Sequence, residues 1–434
     1  MTSHQTGARE RAIISTACDV QSQLEQDRRL WDQGFTRRKL LAGAGMVLAA
    51  SLGSQLVTAR HSYAAVGTGN GKTLVSLFLR GGLDGLTTVV PRNNSRYLEV
   101  RPGIGVRDSQ LLALDSTFGL HPAMQPLYGY WQSSQLAFVH AVGSPDANRD
   151  HFASQALIER GSATLTYPTG WLDRVLEADG PGTTFRAVSE GSTITPALRA
   201  TSGAISMRGI NSLLFTNPST NMATAMRSLY TGLDNPIEDL MGSTVRVVAE
   251  AVPVRALNPN WVQPPAYSVD PFGEALADVA RLVKANAGLR VATIDIGGWD
   301  VHTNQGTTAE GQMVDHLTNL AKNLAAFASD LGSRLADVTL VATSEFGRRV
   351  AENASGGTDH GHGGLMMLLG GGVKGGQIHG GWPGLAPGDL RDGDLAVRND
   401  CRDVLAEAAQ KTLGLGAIGS LFPNHTVSPL GVMR

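Results

Sequence analysis

The sequence predicts an α/β fold with a mostly parallel central sheet covered by helices on both faces. Two observations carry this. Short, nearly continuous apolar runs recur along the chain, as expected of strands buried on both sides, and stretches with helical apolar spacing alternate with them. The order strand, loop, helix repeats, and that order winds a parallel sheet between two helical layers. A third observation concerns function: the strand-like runs end in glycine turns that carry Asp, His or Arg. Open α/β sheets bind ligands at that edge.

The bulk numbers permit such a fold. With 434 residues, 42% of them hydrophobic, the chain can bury a large core as one α/β domain or two. A formal net charge of -2 gives no general attraction to nucleic acid or to an anionic membrane. The 52 glycines gather at strand ends rather than in a low-complexity tract, the pattern of a site built on loops.

Residues 1–65 are expected to be an address segment, leaving 66–434 as the folded domain. Residues 1–35 are polar. Arg37-Arg38 then precede the small-residue apolar run Ala42–Val57, the pattern of a twin-arginine export signal. The run contains Gly43, Gly45, Ser51, Gly53 and Ser54, too weak for a stable transmembrane span. The expected partner is the twin-arginine export machinery, and the expected location periplasmic or extracellular. Only two cysteines occur; Cys18 would leave with the signal, so Cys401 stays alone, as a small core residue on a helix.

Taken in order, Lys72–Leu79 reads as a core strand that breaks at Arg80-Gly81-Gly82-Leu83-Asp84-Gly85. Gln135–Val142 is the next strand, with His140 in its core. It leads to Arg149-Asp150-His151-Phe152 and a helix through Arg160 for which Asp150 or a neighbour is the cap. Residues 164–260 mix short apolar runs with Gly, Pro, Ser and Thr. They read as an insertion or cap over the sheet edge, holding short strands within Leu198–Phe215 and one helix at Ser219–Tyr230. Phe272–Ala287 is helical by its spacing of Leu276, Val279, Ala280 and Val283. Arg290–Ile296 is a strand ending in Gly297-Gly298-Trp299-Asp300-Val301-His302. Asp300 and His302 either bind one metal together, or Asp300 caps the following stretch while His302 packs on Trp299. A helix over Gln312–Leu331 and a strand over Val338–Thr343 follow. The loop Ser344–Gly364 comes next, then a strand at Leu365–Leu369 and a closing helix at Asp400–Leu413.

The densest chemistry is Thr358-Asp359-His360-Gly361-His362-Gly363-Gly364. Carboxylate and imidazole are ligands for zinc, manganese or iron, and glycine lets the backbone turn so that they converge. Two phosphate-loop look-alikes are rejected. Gly67–Thr73 has Val66 where the first glycine is required and precedes a strand, while Gly370–Gly375 leads into Gln377–Pro383, which cannot open a helix. No G-x-S-x-G occurs, so serine-hydrolase chemistry is disfavoured.

The strings L-R-G-G-L-D-G-L, R-D-H-F, G-G-W-D-V-H, S-E-F-G-R and G-T-D-H-G-H-G-G, followed by G-G-G-V-K-G-G and G-W-P-G-L, belong to a match that runs from about Thr73 to Leu413. Together with the leader, they resemble a bacterial family of twin-arginine-exported proteins classed as a domain of unknown function. That family is similar to the alkaline phosphatase and sulfatase superfamily. The resemblance implies an αβα sandwich, alkaline-phosphatase-like, with an inserted cap. It also implies a divalent metal (zinc, manganese or iron) held by Asp84, Asp300, His302, Asp359, His360 and His362; the superfamily's further late His resembles either His362 or His379. The middle pair is spaced D-x-H here, where the superfamily has D-x-x-x-H, and no nucleophile stands out among Thr87, Thr88 and Ser344. The implied activity is hydrolysis of phosphate or sulfate esters of a small molecule or glycan. Arg80, Arg149 or Arg348 would meet the ester oxygens, and His151 or Glu345 would act as acid or base. The alternative is an exported binding or assembly protein that keeps the hydrolase fold without catalysis.

Overall fold

The computed structural model of the chain describes residues 71–434 apart from 145–147, 202, 214–235, 258–259 and 417. All of them lie in the second of the two units into which the chain divides, Leu56–Arg434. The export segment and the helix expected at Ser219–Tyr230 lie outside the described residues.

The fold is α/β around one nine-stranded, largely parallel sheet. Its strands are β1 (Thr73–Leu79), β2 (Leu136–Gly143), β3 (Ala187–Glu190), β4 (Ala204–Met207), β5 (Val291–Ile296), β6 (Val338–Thr343), β7 (Gly364–Gly370), β8 (Ile378–His379) and β9 (Asn399–Asp400). In space the order is β8-β2-β7-β6-β1-β5-β3-β4, with β9 also on β2. All seven residues of β1 are buried, because it lies mid-sheet between two helical layers. Val75, Leu77 and Leu79 face one layer while Leu74 and Phe78 face the other, the period-two alternation of a strand. Among the helices are α1 (Gln125–Gln132), α2 (His151–Arg160), α3 (Trp171–Asp179), α4 (Pro271–Lys284), α5 (Gln312–Leu331) and α6 (Cys401–Leu413); a further one spans Pro236–Ala256. The apolar stripes of α1, α4 and α5 join the first layer, those of α3 and α6 the second.

Local chemistry sets the helix ends. The Asp270 side chain accepts from Gly273 N ahead of Pro271, and that of Asp400 accepts from Arg402 N. Asp150 caps α2 by accepting from Ala153 N, which makes His151 the first helical residue. Cys401 is buried at the start of α6, and burial pushes its thiol up, away from reactivity.

One expectation needs correction, and one strand departs from the parallel majority. Part of 164–260 enters the sheet instead of capping it: β3 pairs in parallel with β5, and β4 with β3. These strands are only four residues long, and polar residues interrupt both, AVSE and AISM, so neither reads as an apolar run. The strand at Leu365–Leu369 is antiparallel to both neighbours. No helix occurs in the loop 344–363, so nothing returns the chain to the opposite edge before β7 begins. The loop therefore ends where β1, β5 and β6 end, and this places Asp359 and His360 beside the loops that follow those strands.

His140 lies in β2 with its Nε2 2.9 Å from Val89 O, stacked on Phe118 and edge-on to Trp382. Burial pushes its imidazole down to about 4. An unfolded chain protonates this histidine at about 6.5, so the unfolded state binds the extra proton between the two values. Its stabilising effect is therefore complete above about pH 6.5 and is lost as pH falls toward 4. The urea midpoint should be lower at pH 5 than at pH 7, and His140→Asn should reduce that difference by about 1–2 kcal/mol. Equal pH slopes in the two proteins would contradict the assignment.

Candidate metal centre

Four loops meet at the C-terminal edge of β1, β5, β6 and β2, and glycine permits their close approach. Gly81 has φ of +125°, and a Cβ there would lie 2.4 Å from Asp300 N. At Gly361 a Cβ would lie 2.5 Å from the Arg348 carbonyl carbon. Larger residues would separate the loop after β1 from that after β5, and the turn at His360 from Arg348.

Three imidazoles converge on one carboxylate in this space. Asp300 Oδ1 lies 2.9 Å from His302 Nε2 and 3.0 Å from His360 Nε2, and Asp300 Oδ2 lies 3.4 Å from His151 Nε2. His302 Nε2 and His360 Nε2 are 3.1 Å apart. Each ring is anchored at its other nitrogen. His151 Nδ1 lies 2.8 Å from Glu345 Oε1, His302 Nδ1 3.2 Å from Asp359 Oδ1, and His360 Nδ1 2.9 Å from Arg149 O. Each Nδ1 partner is an oxygen that can only accept, so a neutral ring keeps its hydrogen on Nδ1 and turns its Nε2 lone pair inward; His302 and His360 also meet Asp300 Oδ1, another acceptor, so their Nε2 atoms either donate to it or share a cation with it. His151 Nε2 is buried and has no hydrogen-bond partner. Inward lone pairs gathered around a carboxylate repel one another unless a cation lies among them.

The donor set fits a divalent transition metal. Asp300, His151 and His360 offer ligand atoms that all lie within 4.8 Å of one another, and His302 adds a third nitrogen. Ligands about 2.0–2.1 Å from a tetrahedral zinc ion stand roughly 3.3 Å apart, close to the separations around Asp300. Three nitrogens with one oxygen suit zinc, manganese or iron rather than calcium or magnesium. The outward Nδ1 contacts are the kind that orient metal-binding histidines.

Arg348 fixes Asp300. Its guanidinium is buried and donates to Gly82 O (2.8 Å), Thr358 O (3.0 Å), Gly81 O (3.0 Å), Trp299 O (3.0 Å) and Asp300 Oδ1 (2.7 Å). Burial raises the pKa of the Asp300 carboxyl, but the contact from His360 and the Arg348 charge outweigh it and bring it down to about 2. Asp300 does not cap a helix, and Trp299 packs on His316 rather than on His302.

Not every expected residue joins this cluster. Asp84 is buried elsewhere, with Oδ2 2.6 Å from Arg101 Nη1 and 2.8 Å from both Thr87 Oγ1 and Gln305 Nε2. Burial raises the pKa of its carboxyl, and Arg101 more than offsets this, holding it below the usual carboxylate range. Asp84 also caps the short turn Gly85–Thr88, which draws its side chain under the loop. His362 points away: its Nε2 lies 3.5 Å from Asp394 Oδ2 and 3.3 Å from Arg149 Nη2. His379 is bound to Lys374 O. Asp359 stands behind His302, half exposed, and accepts from Asn353 Nδ2.

The expected catalytic residues also divide. His151 stands among the inward-facing rings, with its Nδ1 on Glu345. Glu345 is buried, accepting from Gly81 N (2.8 Å) and Gln155 Nε2 (2.9 Å) as well as meeting His151. Arg80 is held by Gln155, Glu159 and Asp295. Arg149 contributes its carbonyl to His360 and pairs its guanidinium with Asp394. Sequence reasoning passed over Arg101, Asp394 and Gln155. Gln155 carried a usable signal, four residues after His151 on the same helix face.

Residues 265–409 match the family described as protein of unknown function, DUF1501. The matched stretch holds Asp300, His302, Glu345, Arg348, Asp359 and His360. Comparison with curated proteins gives no match. Among solved structures, the chain is similar to the lipoteichoic acid synthase LtaP from Listeria monocytogenes at 10% identity, with 82% of this chain and 76% of that chain covered and a TM-score of 0.35. Ps i-CgsB is similar at 12% identity, with 82% and 75% covered and a TM-score of 0.34. The C-terminal periplasmic domain of EcEptC from Escherichia coli, in complex with Zn, is similar at 11% identity, with 71% and 77% covered and a TM-score of 0.29.

The Asp84–Arg101 pair separates structural from metal-binding roles. Asp84→Asn leaves Arg101 buried without its counter-charge and should cost about 3–5 kcal/mol in urea unfolding, with metal per folded chain unchanged. Loss of metal at unchanged stability would restore Asp84 to the centre.

Proposed function

We propose that the chain is a metal-dependent hydrolase of phosphate or sulfate esters. The observation that carries this is the convergence of three Nδ1-anchored imidazoles on the Asp300 carboxylate at a glycine-lined sheet edge. His151, His302, His360 and Asp300 would hold one divalent ion, with zinc, manganese or iron matching the donor set. Such an ion supplies Lewis acidity toward an ester oxygen and lowers the pKa of a bound water.

The chain's own residues have distinct tasks in this reading. Glu345, Asp359 and the Arg149 carbonyl hold the rings in one tautomer, and Arg348 holds the Asp300 carboxylate in place. Arg149 and Arg349 flank Asp394 from two sides with side chains 33% and 35% exposed, so both guanidiniums can reach an anionic ester. None of the three candidate hydroxyls is offered to a substrate. Ser344 Oγ donates to Leu79 O and accepts from Gly82 N and Leu83 N, Thr87 Oγ1 donates to Asp84 Oδ2, and Thr88 Oγ1 donates to Asp84 O. Water is accordingly the nucleophile in this reading.

The same tied hydroxyls favour a second reading, an exported binding or assembly protein whose metal only fixes the loops. Elemental analysis and an ester screen separate the two. Wild-type protein should carry about one transition-metal ion per chain and hydrolyse an aryl phosphate or sulfate. His302→Ala with His360→Ala, still folded by circular dichroism, should carry none and lose at least 100-fold in rate. Equal metal content in the two proteins would end the metal reading; metal without turnover on any ester would favour the second.

Export is part of the proposal and rests on Arg37-Arg38. Among the described residues, no helix is long and apolar enough to cross a membrane. Replacing both arginines by lysine should leave precursor in the cytoplasm, as read by fractionation. Undiminished delivery of the mature chain outside would refute the assignment.

A further inference from the structure

His151, Gln155 and Glu159 recur every four residues along α2, so their side chains form one stripe facing the end of β1. A chain of hydrogen bonds crosses that stripe. Arg80 Nη1 donates to Gln155 Oε1 at 2.9 Å, Gln155 Nε2 donates to Glu345 Oε1 at 2.9 Å, and the same oxygen lies 2.8 Å from His151 Nδ1. Arg80 is itself held by Glu159 Oε1 at 2.8 Å and Asp295 Oδ2 at 2.9 Å, with its guanidinium over the Phe78 ring.

We propose that Arg80 and Gln155 are positioning residues that set the tautomer and direction of the His151 ring, and through it the metal affinity of the centre. The argument is one of polarity. A guanidinium has only donors, so the amide of Gln155 must turn its oxygen to Arg80 and its NH2 to Glu345. Glu345 Oε1 then receives Gln155 Nε2 and Gly81 N from fixed directions and shares the same oxygen with His151, while Oε2 meets Ser344 Oγ. His151 answers with Nδ1–H, leaving its Nε2 lone pair toward Asp300 and His360. The carboxylate takes the Nδ1 hydrogen because it can only accept, and the chain from Arg80 through Gln155 fixes where that carboxylate stands, and so whether the ring keeps this partner. Arg80 has its own neutralising partners in Glu159 and Asp295, so its charge stabilises the chain without itself entering the centre.

This inference rests on the metal reading for its effect on affinity, while its effect on tautomer can be read in metal-free protein. Histidine-selective 15N labelling reports the tautomer, with the His151 signal identified by its absence in His151→Gln. Zinc affinity follows from competition with a chromophoric chelator. Wild-type His151 should be the Nδ1–H tautomer without metal. Gln155→Leu should shift it toward a mixture and weaken zinc binding about tenfold, with melting temperature little changed. Gln155→Met serves if the leucine variant does not fold. Glu159→Gln, which removes one charge but leaves Arg80 held by Gln155 and Asp295, should bind zinc within twofold of wild type. Wild-type His151 as the Nε2–H tautomer would overturn the proposal. So would unchanged tautomer and affinity in the Gln155 variants, or equal weakening by Glu159→Gln. Wild-type protein that shows the Nδ1–H tautomer but takes up no zinc would refute the metal reading and leave the positioning chain standing.

Discussion

The buried guanidinium of Arg348 is the interaction on which the rest of the centre depends. Its donors are spent on carbonyls at Gly81, Gly82, Trp299 and Thr358 and on the Asp300 carboxylate, which belong to three separate loops. Those carbonyls lie on loops outside the strand ladder, and an unsatisfied buried carbonyl is costly. One planar donor meets them all, and only arginine carries enough hydrogens in the required fork. The charge that joins the loops also holds the carboxylate on which the imidazoles converge. Loop structure and site electrostatics therefore share a single side chain.

Around that fixed carboxylate, the site is built from outside inward. Glu345, Asp359 and the Arg149 carbonyl are acceptors, and each takes the Nδ1–H of one histidine. The consequence is that the Nε2 atoms are directed at one point around Asp300 before any ligand is present. Preorganisation of this sort lowers the reorganisation that accompanies binding, because the rings are already oriented. The glycines at 81 and 361 are the steric condition for it, since backbones there approach more closely than a Cβ would allow.

Two clusters of charge near the centre do different work. Asp84 and Arg101 form a fully buried pair beneath the loop after β1, completed by Thr87 and Gln305. Buried pairs of this kind specify geometry more than they add stability, and here the pair pins residues 84–88 against the segment that carries Gln305. Asp394 is likewise buried, but its partners Arg149 and Arg349 remain partly open to solvent. A carboxylate shared by two accessible guanidiniums leaves positive charge facing outward next to His360, consistent with a substrate that is an anion.

The sequence by itself determined the parts that depend on near neighbours. Apolar runs located β1, β2, β5, β6 and β7, helical spacing located α4 and α5, and Asp150 was legible as the cap that puts His151 at a helix start. Glycine turns with Asp and His marked the right edge of the sheet. The tertiary structure decided what depends on distant partners. Asp84 and Asp300 look alike in sequence, each on a glycine turn after a strand. One meets Gln305, 221 positions away, and disappears into a buried pair, while the other meets His360 and becomes the focus of the site. The direction of His151 is likewise decided by Glu345, 194 positions on, which meets its Nδ1 and turns its other nitrogen inward. The antiparallel course of β7 and the entry of β3 and β4 into the sheet were equally hidden. Strand direction is set by the path of the connecting loop, and pairing by the neighbour that supplies hydrogen bonds, and neither leaves a local pattern. Periodicity records which way a residue faces; what it faces is decided only when the chain has closed around it.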